Sequence, residues 1–164
     1  MNVRKAIISD LRQISEIYAD ARRFMKDTGN GTQWGSVYPP VSLTEEDIRC
    51  ERLYVVEDKE ALLAAFVFFV GNDPTYDKIY DGEWKNSLPY GVIHRVCVSS
   101  SARGKGVARQ IFDYCAEIAG NLRIDTHKNN IPMQRALAKF GFEYCGIIKL
   151  EGGDERLSYQ FTKG

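Results

Sequence analysis

His94-Arg95-Val96-Cys97-Val98-Ser99-Ser100-Ser101-Ala102-Arg103-Gly104-Lys105-Gly106-Val107-Ala108 runs from an apolar strand through a polar loop into a helix. The apolar run from Tyr90 to Val98 predicts the strand. Val107, Ile111, Cys115 and Ile118 recur on one helical face and predict a helix from about Lys105 to Ala119. A helix begins with backbone N–H groups that have no intrahelical partner, and its dipole places roughly half a positive charge at that end. A strand, loop and helix in this order therefore make an anion site. Gly104 and Gly106 let the backbone approach a ligand, while Arg103, Lys105 and Arg109 add positive charge. A diphosphate is the natural guest.

Working outward, Val3 to Ile8 reads as a first strand entering a helix at Ser9-Asp10. Leu11, Ile14, Ile17, Tyr18, Ala21, Phe24 and Met25 carry that helix to Gly29. Gly29, Gly31, Gly35, Pro39 and Pro40 make residues 28 to 42 a loop, and Thr44-Glu45-Glu46-Asp47 predicts the N-cap and acidic first turn of a short second helix. Leu53 to Glu57 and Ala61 to Val70 form a hairpin about Asp58-Lys59-Glu60. Residues 71 to 89 are an irregular excursion rich in Tyr76, Tyr80 and Trp84. Beyond residue 119, Leu122 to Thr126 is a strand, Met133, Leu137 and Phe140 mark a helix ended by Gly141, and Phe142 to Phe161 closes as a hairpin about Gly152-Gly153. The order β-α-α-β-β-β-α-β-α-β-β mixes helices among strands, which predicts a mixed sheet.

The composition narrows the function classes. The 164 residues include 22 Lys and Arg against 22 Asp and Glu, so no general field of positive charge supports binding to nucleic acid or an anionic membrane. Hydrophobic residues at 44%, with 14 Gly and 5 Pro, exclude disordered and collagen-like chains. The chain is expected to be a single domain spanning 1–164. The longest apolar run, Ala61 to Val70, is far short of the roughly 20 residues of a membrane-spanning helix. The N-terminal stretch shows no secretory apolar region, and Cys50, Cys97, Cys115 and Cys145 are scattered without a C-x-x-C pair. Buried thiols and a cytoplasmic location are the expectation.

The loop does not match the other phosphate motifs. Gly104-Lys105-Gly106 lacks the upstream Gly and following Ser or Thr of a Walker loop, and Arg109 stands where a dinucleotide fingerprint needs its third Gly. Arg103-x-x-Gly106-x-Ala108 instead resembles the acetyl-CoA signature R/Q-x-x-G-x-G/A of the GNAT superfamily of N-acetyltransferases. The preceding strand, Ile93 to Val98, is similar to the family's, and Asn130, Met133 and Lys139-Phe140-Gly141-Phe142 resemble its second block. The resemblance is strong over 91 to 146 and weak before 53. It implies an α/β (mixed α+β) fold, with a mostly antiparallel twisted sheet of about seven strands and four helices. It also implies acetyl-CoA as cosubstrate, no metal, and acetyl transfer to a primary amine by direct attack in a ternary complex. Val96 and Val98, flanking Cys97, would present backbone groups to the pantetheine arm. Arg103, Gly104, Lys105, Gly106, Val107 and Ala108 would wrap the pyrophosphate, and Asn130 would bond the pantetheine end. For the glycines the alternative is a tight turn, and for Asn130 a helix cap.

Acyl transfer to an amine with a pKa near about 10 needs a route for the amine's proton and a donor for the departing thiolate. His94 is the candidate base, because an imidazole titrates near about 6.5 and strand alternation places it on the face of Val96 and Val98. A bulge between His94 and Val98 would reverse that face, and a buried structural histidine is the alternative. His127 reads as a loop residue. Many relatives carry a Tyr four residues before the G-F glycine, where this chain has Leu137. Tyr144 and Tyr159 are the remaining candidate donors, with packing as the alternative role. Cys97 is expected to face away from Val96 and Val98, which argues against an acetyl-enzyme.

The first helices, the 28 to 42 loop and the 71 to 89 excursion are expected to build the acceptor site, with Gln33, Trp34, Tyr38, Tyr76, Tyr80 and Trp84 as its aromatic-rich lining. A small-molecule amine or a peptide is the expected partner, with neither nucleic acid nor membrane. The resemblance, together with closing strands whose edges could pair, makes a homodimer a candidate assembly. The missing Tyr leaves a rival reading, a non-catalytic sensor or interaction module that binds coenzyme A or acyl-CoA.

Overall fold

Runs rich in Val, Ile, Phe and Tyr make seven strands, and four amphipathic stretches make the helices, in a computed structural model that describes residues 1–164. In chain order they are β1 (Asn2–Lys5), α1 (Leu11–Asp27), α2 (Val41–Arg49), β2 (Leu53–Asp58), β3 (Ala61–Val70), β4 (Gly91–Val98), α3 (Val107–Ala119), β5 (Asn121–Thr126), α4 (Ile131–Phe140), β6 (Glu143–Lys149) and β7 (Glu155–Thr162). The order of element types is the one expected. The sheet runs β1-β2-β3-β4-β5-β7-β6, with β4 and β5 parallel and the β1–β2, β2–β3, β5–β7 and β6–β7 pairs antiparallel. No helix is long and apolar enough to cross a membrane.

Two details differ from the sequence expectation. β1 ends at Lys5, because Ala6 to Asp10 turn away into a short 3-10 helix and leave Ile7 and Ile8 exposed. α2 starts at Val41 behind Pro40, so Thr44 is a buried residue inside the helix rather than its cap. The closing hairpin places its second strand, β7, next to β5, an order on which the sequence carried no expectation.

The chain divides into two compact units, Met1–Phe68 with Arg95–Ile111, and Phe69–His94 with Phe112–Gly164. In the first, α1 buries the stripe Ile14, Ile17, Tyr18, Ala21 and Met25, and β2 contributes Leu53, Val55 and Val56, all fully buried. Burying each such large aliphatic side chain is worth about 1.5–3 kcal/mol. Asp47, also fully buried, accepts from Arg95 Nη2 at 2.5 Å and Arg52 Nε at 2.6 Å.

In the second unit, Phe112, Phe140, Phe142 and Phe161 pack ring against ring with centroids 5.0 to 5.7 Å apart. Tyr76, Tyr90, Val92 and Ile148 form a second cluster, flanked by Phe69, Ile79 and Trp84. The 71 to 89 excursion is held by polar groups as well. Gln160 Nε2 donates to Asn121 Oδ1 at 2.8 Å, its Oε1 accepts from the Lys85 N–H at 2.8 Å, and Asn121 Nδ2 donates to the Pro89 carbonyl at 3.0 Å.

The same excursion lies on the outer edge of β6. Tyr80 and Ile147 exchange two backbone hydrogen bonds of 2.8 Å, and a Cβ on Gly82 would sit 1.9 Å from the Cys145 carbonyl oxygen. Only glycine fits at that approach. At Ile147 the edge of β6 is therefore already paired by the chain's own Tyr80.

Candidate active site

In the first unit, β4 leaves regular alternation at Arg95, whose φ of +51° is left-handed and rare for a long side chain. Beyond it Val96 and Val98 are partly exposed and Cys97 is buried, as expected for its turning away from them. Burial pushes the Cys97 thiol well above its usual range, so it is no ready nucleophile. Ser99 to Ala102 makes a single 3-10 turn closed by the Ala102 N–H on the Ser99 carbonyl at 3.0 Å.

Gly104 and Gly106 follow with φ of +76° and +80°, exposed, with open space where a Cβ would stand. That backbone needs glycine for its conformation, and it leads directly into α3 at Val107. The first turn of α3 directs its backbone N–H groups and its dipole toward an anion at that end. The chemistry of this loop fits a diphosphate. Lys105 is exposed beside it, but Arg103 is turned to α1, donating to Asp20 at 2.9 Å and lying 4.1 Å from the Phe24 ring centroid. Asp20 also accepts from the Ser100 N–H at 2.7 Å, so the carboxylate ties the loop to α1.

In the second unit His94 stands among acidic and aromatic groups. Its Nε2 is 2.6 Å from Asp73 Oδ2 and its Nδ1 is 3.8 Å from Asp125 Oδ2. Tyr76 Oη donates to Asp125 Oδ2 at 2.6 Å, and Thr75 donates to Asp73 Oδ1 from both its N–H and its hydroxyl. The rings of Tyr76 and Phe69 lie 6.0 and 6.3 Å from the imidazole. Burial works against the Asp73 anion, but the hydrogen bonds from His94 and Thr75 outweigh it and hold this carboxyl below its usual range. Burial, reinforced by Asp125, raises the Tyr76 hydroxyl far above its usual value, so it remains a donor.

The acetyltransferase (GNAT) family model matches residues 11–142, a span that takes in the strand, the glycine loop and α4. The chain belongs to the GNAT family. Membership implies acyl transfer from acetyl-CoA. A GNAT acetyltransferase from Streptococcus agalactiae is 30% identical over 99% of this chain and 95% of its own, with a TM-score of 0.91. A structure described as an acetyltransferase from Staphylococcus aureus Mu50 is 28% identical over the whole of both chains, with a TM-score of 0.73. A ribosomal-protein-alanine N-acetyltransferase from Brucella melitensis, 17% identical over 99% of both chains with a TM-score of 0.68, shares the fold. No curated protein sequence matches the chain.

The structure of this GNAT chain places the other candidates in its helices, strands and loops. Asn130 caps α4, its Oδ1 accepting from the Met133 N–H at 3.2 Å. Leu137, four residues before Gly141, is fully buried. Tyr159 is buried on β7 with its ring against Tyr144, and no hydrogen bond joins its hydroxyl to the His94 group. His127 lies in a loop, its Nδ1 accepting from the Asn129 N–H at 3.0 Å. The expected acceptor aromatics divide. In the first unit Trp34 packs edge-on against both Tyr18 and Tyr38, while in the second Tyr76 is core and Trp84 donates to its carbonyl at 2.8 Å. Asp73, Asp125 and Tyr76 gather at His94 without having been singled out as its partners. The Asp73-Pro74-Thr75 turn signal was the one local sign of a fixed carboxylate.

Proposed function

We propose that this protein transfers the acetyl group of acetyl-CoA to a primary amine of a small molecule or of a protein or peptide, by direct attack in a ternary complex. The observation that supports this most is the left-handed Gly104–Gly106 loop opening onto the start of α3. Arg103 to Ala108 would hold the pyrophosphate with backbone N–H groups and Lys105, Arg103 acting through its tie to Asp20 as the loop's anchor. The exposed edge of Val96 and Val98, about Cys97, would pair with the pantetheine arm as an added strand does. Asn130 would serve there through the backbone it holds at the head of α4.

Bound acetyl-CoA supplies a thioester carbonyl activated for acyl transfer. An acceptor amine would add to that carbonyl, the C–S bond would then break with its electron pair on sulfur, and His94 would take the amine's proton. The buried Cys97 thiol supports direct attack over an acetyl-enzyme. Leu137, buried where relatives carry a Tyr, favours the second reading, a coenzyme A sensor without turnover.

Gly106→Val places a β-branched residue at φ +80°, a conformation that costs non-glycine residues about 1–3 kcal/mol. Calorimetry should show acetyl-CoA affinity reduced at least tenfold in a variant whose circular dichroism is native. Unchanged affinity overturns the loop's role. Amine-dependent thiol release over a panel of polyamines, amino acids, aminoglycosides and peptides separates the enzyme from the sensor.

A further inference from the structure

We propose that Asp73 and Asp125 are positioning residues that bracket His94: Asp73 fixes the proton on Nε2 so that Nδ1 is the accepting atom, and Asp125, held by Tyr76, faces the imidazolium that results. This rests on the acetyltransferase reading above and identifies the atom through which the acceptor's proton leaves.

Geometry assigns the roles. An ionised carboxylate only accepts, so the 2.6 Å contact requires an N–H on His94 Nε2. A neutral imidazole has one proton, which leaves the Nδ1 lone pair free. Asp125 Oδ2 at 3.8 Å is too far to hydrogen-bond Nδ1, yet near enough to attract a charge formed there. Nδ1 is thus without a hydrogen bond while neutral and is stabilised once protonated. The imidazole is 25% exposed, against 11% for Asp73 and 12% for Asp125, so it is the member of the group that an acceptor reaches most easily.

Each carboxylate is itself fixed. Asp73 Oδ1 caps the 3-10 turn at Pro74 by accepting from Thr75, which leaves Oδ2 for His94. The Asp73 N–H donates to Tyr90 Oη at 3.0 Å, and that hydroxyl donates to Asn72 Oδ1 at 3.1 Å. Asp125, on β5, is held by the Tyr76 hydroxyl. The titratable groups about His94 are therefore Asp73 from the loop, Tyr76 from the turn, Asp125 from β5 and Tyr90 from the residue just before β4. The phenyl ring of Phe69 completes the surround, and the nearby cation Arg123 is stacked on Tyr90 at 4.0 Å. The depressed Asp73 and the strongly raised Tyr76 agree with an acceptor and a donor in these places.

The chain has two histidines, so long-range proton–nitrogen spectra of the histidine-labelled protein resolve two imidazoles, assigned with His127→Gln. Neutral His94 should carry its proton on Nε2, and Asp73→Asn should collapse that preference, because a carboxamide can present either a donor or an acceptor. In turnover, Asp73→Asn should lower kcat/KM about 10²–10⁴-fold without changing acetyl-CoA affinity. Asp125→Asn should move the acid-side midpoint of the kcat/KM profile to lower pH, with Tyr76→Phe giving a smaller change, since an imidazolium that loses a facing anion holds its proton less tightly. A native His94 protonated on Nδ1 overturns the assignment, whatever the enzyme does. So do pH profiles that Asp73→Asn and Asp125→Asn leave unmoved while activity falls with stability alone. The tautomer is read without acetyl-CoA. An Nε2 proton together with no thiol release for any amine would instead overturn the acetyltransferase reading, and with it the proton-accepting role of Nδ1.

Discussion

Replacing Asp47 by asparagine exposes what the carboxylate does for β4. Asp47 is 1% exposed and divides its two oxygens between Arg95, 14% exposed, and Arg52, 35% exposed. A carboxamide keeps one acceptor oxygen and turns an NH₂ toward the other guanidinium, so one attraction becomes a donor facing a donor. The Arg52 contact is half solvated and is worth about 1 kcal/mol or less. The Arg95 contact is buried, and leaving its guanidinium unpaired should cost about 3–5 kcal/mol. For a chain of this size that corresponds to a fall in Tm of roughly 6–20 °C. Urea denaturation should show the midpoint moving with the m-value unchanged. Asp47→Asn combined with Arg95→Met should recover most of the loss, because the unpaired charge is gone. A loss below about 1 kcal/mol, or a double variant no better than the single, would refute a buried charge that depends on its partner.

Three further outcomes are expected. Gly82→Ala should destabilise the protein by about 1–3 kcal/mol and speed amide exchange at Tyr80 and Ile147, since the new Cβ would overlap the Cys145 carbonyl; native exchange at both amides would contradict this. A thiol reagent at neutral pH should label Cys50 rapidly and leave Cys97, Cys115 and Cys145 protected until the chain unfolds, as read by mass spectrometry. The hydrogen bond from Arg4 holds the Asp10 carboxyl below its usual range, against the effect of burial. Its stabilisation is therefore present above pH about 4, where the unfolded chain's Asp ionises, and is lost as pH falls through the folded value. Asp10→Asn should flatten that acid slope in denaturation midpoints taken from pH 5 down to pH 2.

The order of elements was legible because the apolar spacing is strong and local. The 3.6-residue recurrence from Leu11 to Met25 fits only a helix, and the unbroken apolar run from Ala61 to Val70, which could also have been helical, is made a strand by its place beside the β2 hairpin partner. The start of α2 was not, because Pro39-Pro40 reads as loop while Pro40 in fact precedes the first helical residue. The insertion of β7 beside β5 was hidden as well, since neighbours in a sheet are chosen by nonlocal packing that no local pattern encodes. The glycine loop was legible because a left-handed backbone ahead of a helix demands a particular residue type. His94 could be singled out by chemistry, yet its partners could not. Asp73 and Asp125 come from opposite sides of β4 in the sequence, and only the β4–β5 pairing and the turn at Pro74 bring both to one imidazole. The positive φ at Arg95 likewise falls between His94 and Val98, where a bulge would change the facing of the strand, but the side chain it sends to Asp47 has no sequence signature.

An open sheet edge is a template for any extended peptide, and the seventh position of this sheet would ordinarily be such an edge. Here the chain supplies its own competitor: Tyr80 takes both backbone groups of Ile147, and Gly82 lies against Cys145 so closely that a side chain could not intervene. A foreign strand would have to peel away residues 79 to 86, together with the Lys85 bond to Gln160, before it could register on β6. The excursion thus guards against edge-to-edge aggregation while the folded chain waits for its ligands. Substitutions that loosen it should show themselves first as lost solubility on storage, before any change in secondary structure.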